Sequence, residues 1–257
     1  MFSLENTSKT SSPIASDFSH INERFEQLFM SAKKSADDIG VDTRLQNTTF
    51  KLLSDLQSFD AKTAEESLQS LSIALSIGRV IIDFYDAPRV EPAFIWSSII
   101  LHDIGKPVVG KCLIDKSNHG AEWTEQDREY MKSHTTAGAN MAMSAGAPTA
   151  VCRSIAEHHH KQFGAPWYGL DPNLNDLERT TRDCVAVADF TDAMSTRTNT
   201  RNAHLTPHER LNEIRANTEL VFDDYNRGTD LAAQIFTVIA PIAEAGIQKT
   251  NLVSTAA

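Results

Sequence analysis

The sequence predicts an all-α protein, and three observations carry that prediction. Apolar residues recur at helical spacing over most of the 257 residues, Gly and Pro fall between the stripes, and no alternating segment is long enough for a strand. The expected organisation is a tail at 1–18, a helical arm at 19–60, a main helical domain at 61–245 and a tail at 246–257.

Residues 1–18 are rich in Ser and Thr and have no apolar period, which predicts a mobile tail. The stripe Ile21, Phe25, Leu28, Phe29, Ala32 predicts a helix that ends near Gly40, and Phe50, Leu52, Leu53, Leu56 and Phe59 predict a second. This arm reads either as a homodimerisation hairpin or as a cap on the main domain. Beyond Thr63, Leu68, Leu71, Ile73, Ala74, Ile77, Val80 and Ile81 predict a core helix. Glu65 and Glu66 open it, where acids favour the helix dipole, and Glu65 reads as solvated.

A loop at Asp86–Pro92 leads into an apolar helix that carries His102 and Asp103 side by side. Gly105 is expected to close that helix in the left-handed conformation, and Pro107 cannot continue it. A loop of about 17 residues comes next, then Thr124-Glu125-Gln126-Asp127, a capping-box-like start for a helix with Tyr130, Met131 and His134 on one face. The Gly138–Gly146 stretch reads as loosely helical, and Ala147-Pro148 restarts the chain into Val151, Ile155, His158, His159 and His160. A loop with Gly164, Pro166, Trp167 and Tyr168 precedes the strongly patterned Cys184–Met194 element, and the later apolar residues suggest two or three more helices.

A net charge of -10 repels extended polyanions, so a nucleic-acid-like ligand is expected to be small and held locally. The amino terminus lacks the basic-then-apolar order of a signal peptide, and no apolar run approaches the roughly 20 residues of a membrane span. Cys112, Cys152 and Cys184 are odd in number and widely spaced, which suits buried thiols in a reducing compartment. Together these readings give a cytoplasmic protein with no membrane partner.

The chemistry concentrates in the histidines. Six of the nine lie between His102 and His160, and His102, His134, His158 and His159 sit at or near helix ends inside apolar patterns. Asp189 interrupts Val185-Ala-Val-Ala-Asp-Phe, where an unpaired carboxylate is badly placed. Imidazole with carboxylate suits Zn, Fe or Mn, and the lack of paired Cys argues against a thiolate site. Two ions bridged by Asp103 account for the set: His102, Asp103 and Asp189 around one, and Asp103, His134, His158 and His159 around the other. A bridging hydroxide, acidified by both cations, would attack a phosphodiester in line.

The string His102-Asp103-Ile104-Gly105-Lys106 resembles the signature of the HD phosphohydrolase superfamily, and its continuation along the chain resembles the HD-GYP branch. Met131-Lys132-Ser133-His134 with Gly138, His158-His159, and Ala188-Asp189-Phe190-Thr191-Asp192-Ala193 with Arg197 match that branch in order, over roughly residues 60 to 225. The resemblance implies an HD-domain helical bundle and a centre of two divalent ions, iron or manganese, with a third in some members. It implies hydrolysis of the bacterial signalling messenger cyclic di-GMP, with Asp103 and Lys106 in the catalytic set and Lys106 and Arg197 meeting substrate phosphate.

Three departures accompany it. The metal-binding His usual upstream of the HD pair is missing: ungapped counting puts Ser70 there, and the local pattern Thr63-Ala-Glu-Glu66 nominates Glu66 as a ligand. The Gly-Tyr-Pro loop is scrambled, although Trp167 and Tyr168 offer rings for base stacking. His160 stands where the branch has Glu. These departures keep two alternatives open: an HD hydrolase of another phosphorylated nucleotide or metabolite, and a degenerate module that binds a nucleotide or a protein partner without turnover.

Overall fold

The computed structural model describes residues 14–85, 89–118, 122–159, 161–162, 164, 173–197 and 202–255, with the side chains of 14–22, 117–118, 203 and 251–255 left out. Among the described residues there are helices and no strands, as the apolar periodicity predicts. The helices are α1 (Ile14–Asp38), α2 (Thr43–Phe59), α3 (Ala61–Gln69), α4 (Leu71–Tyr85), α5 (Pro92–Leu101) and α6 (Lys106–Val109). They continue with α7 (Lys111–Asn118), α8 (Glu125–Ser144), α9 (Thr149–Glu157), α10 (Asp176–Thr196), α11 (Pro207–Phe222) and α12 (Gly228–Thr255).

Helix α10 is the axis of the bundle and packs against α4, α5, α9, α11 and α12. Its sequence explains that position: Cys184, Val185, Ala186, Val187 and Ala188 are small enough to be buried consecutively, so neighbours can approach on every side. Helix α5 is almost as enclosed, with Ile95, Trp96, Ile99, Ile100 and Leu101 fully buried. It delivers His102 and Asp103 to the interior at its carboxyl end.

The amino-terminal helices are a cap on the main domain and share its core. Trp96 Nε1 donates to the Ala32 carbonyl at 3.0 Å, the Thr49 and Ser97 hydroxyls meet at 2.7 Å, and Phe50 sits edge-on to Trp96 at 5.3 Å. Truncating a side chain as enclosed as Trp96 costs about 3–5 kcal/mol, so the cap is bound tightly to the bundle.

Several expectations need correction. The core helix beyond Thr63 is interrupted at Ser70, whose hydroxyl turns back to the Glu66 carbonyl at 3.1 Å. Glu65 is not solvated: it lies against Arg24 of α1 at 2.8 Å, and burial raises its carboxyl pKa even with that partner. The loop after Lys106 contains α6 and α7, which are too short to give a periodic signal. Helix is present from Ile14, and α12 continues to Thr255 in the segment read as a tail at 246–257, where Ile247 is buried. Residues 1–13 lie outside the described residues. Cys152 and Cys184 are buried as expected, but Cys112 is exposed.

The membrane expectation also changes. The segments Ala61–Tyr85 and Gly228–Thr250 are long and apolar enough to cross a membrane by length and composition, although half of the most apolar 18-residue stretch in the first and a third of that in the second are buried inside the protein.

Gly105 does not take the left-handed conformation; its φ is -83°, and the left-handed residue is Gly110 at φ 93°. Glycine is needed at 105 because α8 passes so close. A Cβ there would lie 1.9 Å from the His134 carbonyl oxygen and 2.5 Å from the Gly138 nitrogen.

Candidate metal centre

Four segments converge below α5. His102 caps α5 and Asp103 comes directly after it, His134 lies within α8, His158 and His159 succeed α9, and Asp189 lies midway along α10. His102, Asp103, His134 and His158 are each at most 3% exposed.

Asp103 faces two ways. Its Oδ2 lies 3.3 Å from His102 Nε2 and 2.5 Å from Lys106 Nζ, while its Oδ1 lies 3.4 Å from His134 Nε2. Asp189 Oδ1 closes the first group at 3.5 Å from His102 Nε2. Two donors each about 2.1 Å from a tetrahedral ion stand ~3.4 Å apart, so these separations suit shared coordination. The second group is His134, His158 and His159, whose ligand nitrogens lie within 4.8 Å of one another.

Each ring is aimed by the turn that precedes it. Nδ1 of His102, His134 and His158 faces the carbonyl three residues earlier, at Ile99 (2.7 Å), Met131 (2.5 Å) and Ile155 (2.9 Å). A carbonyl only accepts, so Nδ1 carries a proton in each, and in the neutral rings of His134 and His158 Nε2 presents its lone pair inward. The buried Nε2 atoms of His134 and His158 have no hydrogen-bond partner among the described residues. Leaving such an atom unmatched costs about 1–3 kcal/mol, and a divalent cation removes that cost at both. The imidazole and carboxylate donors fit Zn, Fe or Mn.

Electrostatics point the same way. Burial alone pulls the His102 pKa down, but Asp103 and Asp189 outweigh it and push it up to about 10, so a proton supplies the charge that the carboxylates demand. Burial opposes ionisation of Asp103 and Asp189, yet Lys106 and His102 hold the first well below the usual carboxylate range, and His102 and Arg197 hold the second below it. Burial also keeps the other rings neutral: His134 is lowered, His158 is lowered well below 6.5, and His159 is lowered to about 3.

These shifts predict how the metal-free protein responds to pH. Below about pH 6.5 the unfolded chain protonates the three rings that the fold keeps neutral, so stability is lost as pH falls. The raised His102 acts in the opposite direction: its contribution is complete below about 6.5 and is lost as pH rises towards 10. Thermal melting of metal-free protein is therefore expected to peak near pH ~6.5 and decline on both sides. A flat profile would contradict the assigned protonation states.

A cavity of about 190 Å3 opens on the group, lined by Asp103, Lys106, Trp123, Met131, His134, His159, Asp189 and Arg197. Lys106 and Arg197 thus stand where phosphate-binding cations were expected. Glu66 does not join the histidines. Its Oε2 takes Arg197 Nη2 at 3.2 Å, while Arg197 also lies 4.0 Å from Asp189, so Glu66 holds a cavity cation rather than completing the donor set. Asp192 is buried, and burial pushes its pKa up to about 7 against the pull of Arg197. Trp167, Tyr168 and His160 lie outside the described residues.

Trp123 and Met131 are the lining residues without an expected site role. Met131 is signalled by its place three residues before His134 on α8. Trp123 has a subtler signal: an apolar residue just before a helix cap normally packs on the fourth helical residue, and here that residue is the exposed Arg128.

The HD domain family model matches residues 63–194, just over half of the chain. No curated protein matches the sequence. Among solved structures, the HD domain of the phosphodiesterase PgpH from L. monocytogenes is similar in fold, with a TM-score of 0.51 and 16% identity over 77% of this chain and 97% of that one.

Proposed function

This chain belongs to the HD domain family, whose members bind divalent metals, and from that premise we propose that it is a metal-dependent phosphodiesterase acting on a cyclic dinucleotide, cyclic di-GMP first among them. The observation that carries the proposal is the division of Asp103 between two groups of donors, one oxygen towards His102 and the other towards His134. His102, Asp103 and Asp189 would hold one ion, and Asp103, His134, His158 and His159 the other. When bound, the ions supply Lewis acidity and an activated water at neutral pH.

The protein's own residues do the rest. Asp103 and Asp189 remain ionised, and His134, His158 and His159 remain neutral, so these five donors have free lone pairs, while at His102 a cation would take the place of the proton that the two carboxylates hold there. Lys106 and Arg197 share the cavity wall with these donors and meet a phosphoryl group with two fixed cations, which compensate charge gathering on its oxygens in the transition state. Glu66 restrains the Arg197 guanidinium, so less rotamer freedom is lost when phosphate arrives. That Met131 and His134 of one motif and Asp189 of another line the same cavity supports the HD-GYP branch. The odd, widely spaced cysteines support a cytoplasmic setting.

One observation favours a smaller substrate. At about 190 Å3 the cavity is below the ~300–1,000 Å3 common for ligand pockets, which suits a mononucleotide better than a dinucleotide. A single assay separates the readings. Protein loaded with Mn or Fe is expected to convert cyclic di-GMP to its linear form or to GMP. Turnover of mononucleotide phosphodiesters alone would discard the cyclic dinucleotide, and bound metal without turnover of either would discard phosphodiesterase activity.

A further inference from the structure

We infer that Trp123 is a nucleobase platform, a specificity-determining residue that stacks on the base of the substrate while Lys106 and Arg197 hold its phosphate. The inference rests on the reading of the cavity as a phosphodiesterase site and adds the residue that recognises the base attached to the phosphate.

The cavity has two characters. Asp103, Lys106, His134, His159, Asp189 and Arg197 are ionisable donors or cations suited to metal and phosphoryl oxygen. Trp123 and Met131 are apolar and have no use in phosphoryl chemistry, yet they share the same wall. A ligand matching both parts carries an anionic end and a flat apolar end within one nucleotide length, which describes a nucleoside phosphate and excludes a bare sugar phosphate.

Local structure leaves the indole available for that contact. Trp123 is only partly buried and directly precedes Thr124, the cap of α8. A hydrophobic staple has no apolar partner here, because the fourth helical residue is the exposed Arg128. Its backbone is nevertheless well anchored. Thr124 and Asp127 form a reciprocal capping box, and Lys116 of α7 reaches the same Asp127 carboxylate. The backbone that carries the ring is therefore fixed at the cavity before any ligand arrives, and a platform on a fixed backbone loses less entropy on binding. Met131 lies one turn before His134 on α8 and adds a polarisable thioether to the lining of the same cavity.

Removing an aromatic platform weakens base binding by about 5- to 150-fold. GMP and ribose 5-phosphate serve as equilibrium probes of the Mn-loaded protein, since they differ only in the base. The wild type is expected to bind GMP at least about 10-fold more tightly than ribose 5-phosphate, with quenching of indole emission. Trp123→Phe should keep most of that preference and lose the quenching. Trp123→Ala should bind the two probes alike, with affinity for ribose 5-phosphate unchanged. Equal binding of the probes by the wild type, or a preference that survives in Trp123→Ala, would overturn the platform and leave the phosphodiesterase reading standing. Failure of both probes to bind the metal-loaded wild type would remove that reading and the platform with it.

Discussion

Replacing His134 with Ala is expected to abolish metal binding and hydrolysis together while leaving the helical signal of the protein unchanged. His134 Nε2 is buried, unmatched by any hydrogen bond among the described residues, and 3.4 Å from the Asp103 oxygen that faces away from His102. It therefore stands at the junction of the two donor groups. Loss of a residue that merely orients a ligand costs 10–100-fold in affinity or activity, and loss of this ligand should cost at least about 100-fold. The fold should tolerate the change, because α8 is anchored on its inner face by Thr135, Gly138, Ala139 and Ala142 and at its start by the Thr124 capping box. Metal content and turnover of the variant check this. Normal hydrolysis by His134→Ala would show that the second group is not part of the centre.

Gly105→Ala should be strongly damaging. The added carbon would meet the His134 carbonyl oxygen at 1.9 Å and the Gly138 nitrogen at 2.5 Å, and both are backbone atoms of α8 with no side-chain torsion to relieve the clash. Either α8 or the segment after Asp103 must move, at a cost of about 3–5 kcal/mol. For a chain of this size that is a fall of about 6–20 °C in melting temperature. Because His134 sits on the displaced turn, metal affinity should fall with stability. Gly138→Ala provides the graded comparison, since its nearest contacts are looser, at 3.1 to 3.2 Å. A melting temperature unchanged in Gly105→Ala would show that the approach of α8 is not needed to build the site.

Much of this architecture is legible from residue periodicity. Strong stripes such as that of α4 and the small-residue run of α10 announce buried helices, and the capping box at Thr124 fixes the start of α8. What escapes is decided by contacts between elements rather than within them. Helices α6 and α7, of four and eight residues, are held by their neighbours and are too brief to show a period. Gly105 looks like a chain-reversing glycine because sequence shows that a side chain is missing but not what occupies its place.

The candidate site divides in the same way. His102, Asp103, His134, His158, His159 and Asp189 can be picked out because ionisable groups inside apolar patterns demand compensation. Glu66 is ambiguous in sequence because a carboxylate near a site can serve a metal or an arginine, and only packing decides; here it meets Arg197. Trp123 escapes notice because the more prominent aromatic pair Trp167-Tyr168 directs attention to a later loop, whereas the described cavity is walled from the start of α8.

The central claim is that buried donors from α5, α8, α9 and α10 form one divalent-metal centre with Asp103 between its two halves. Elemental analysis of the wild-type protein after Mn or Fe loading and removal of free metal tests it most directly. The account predicts about two ions per chain, retained through gel filtration. A chain that emerges with no bound metal would contradict it.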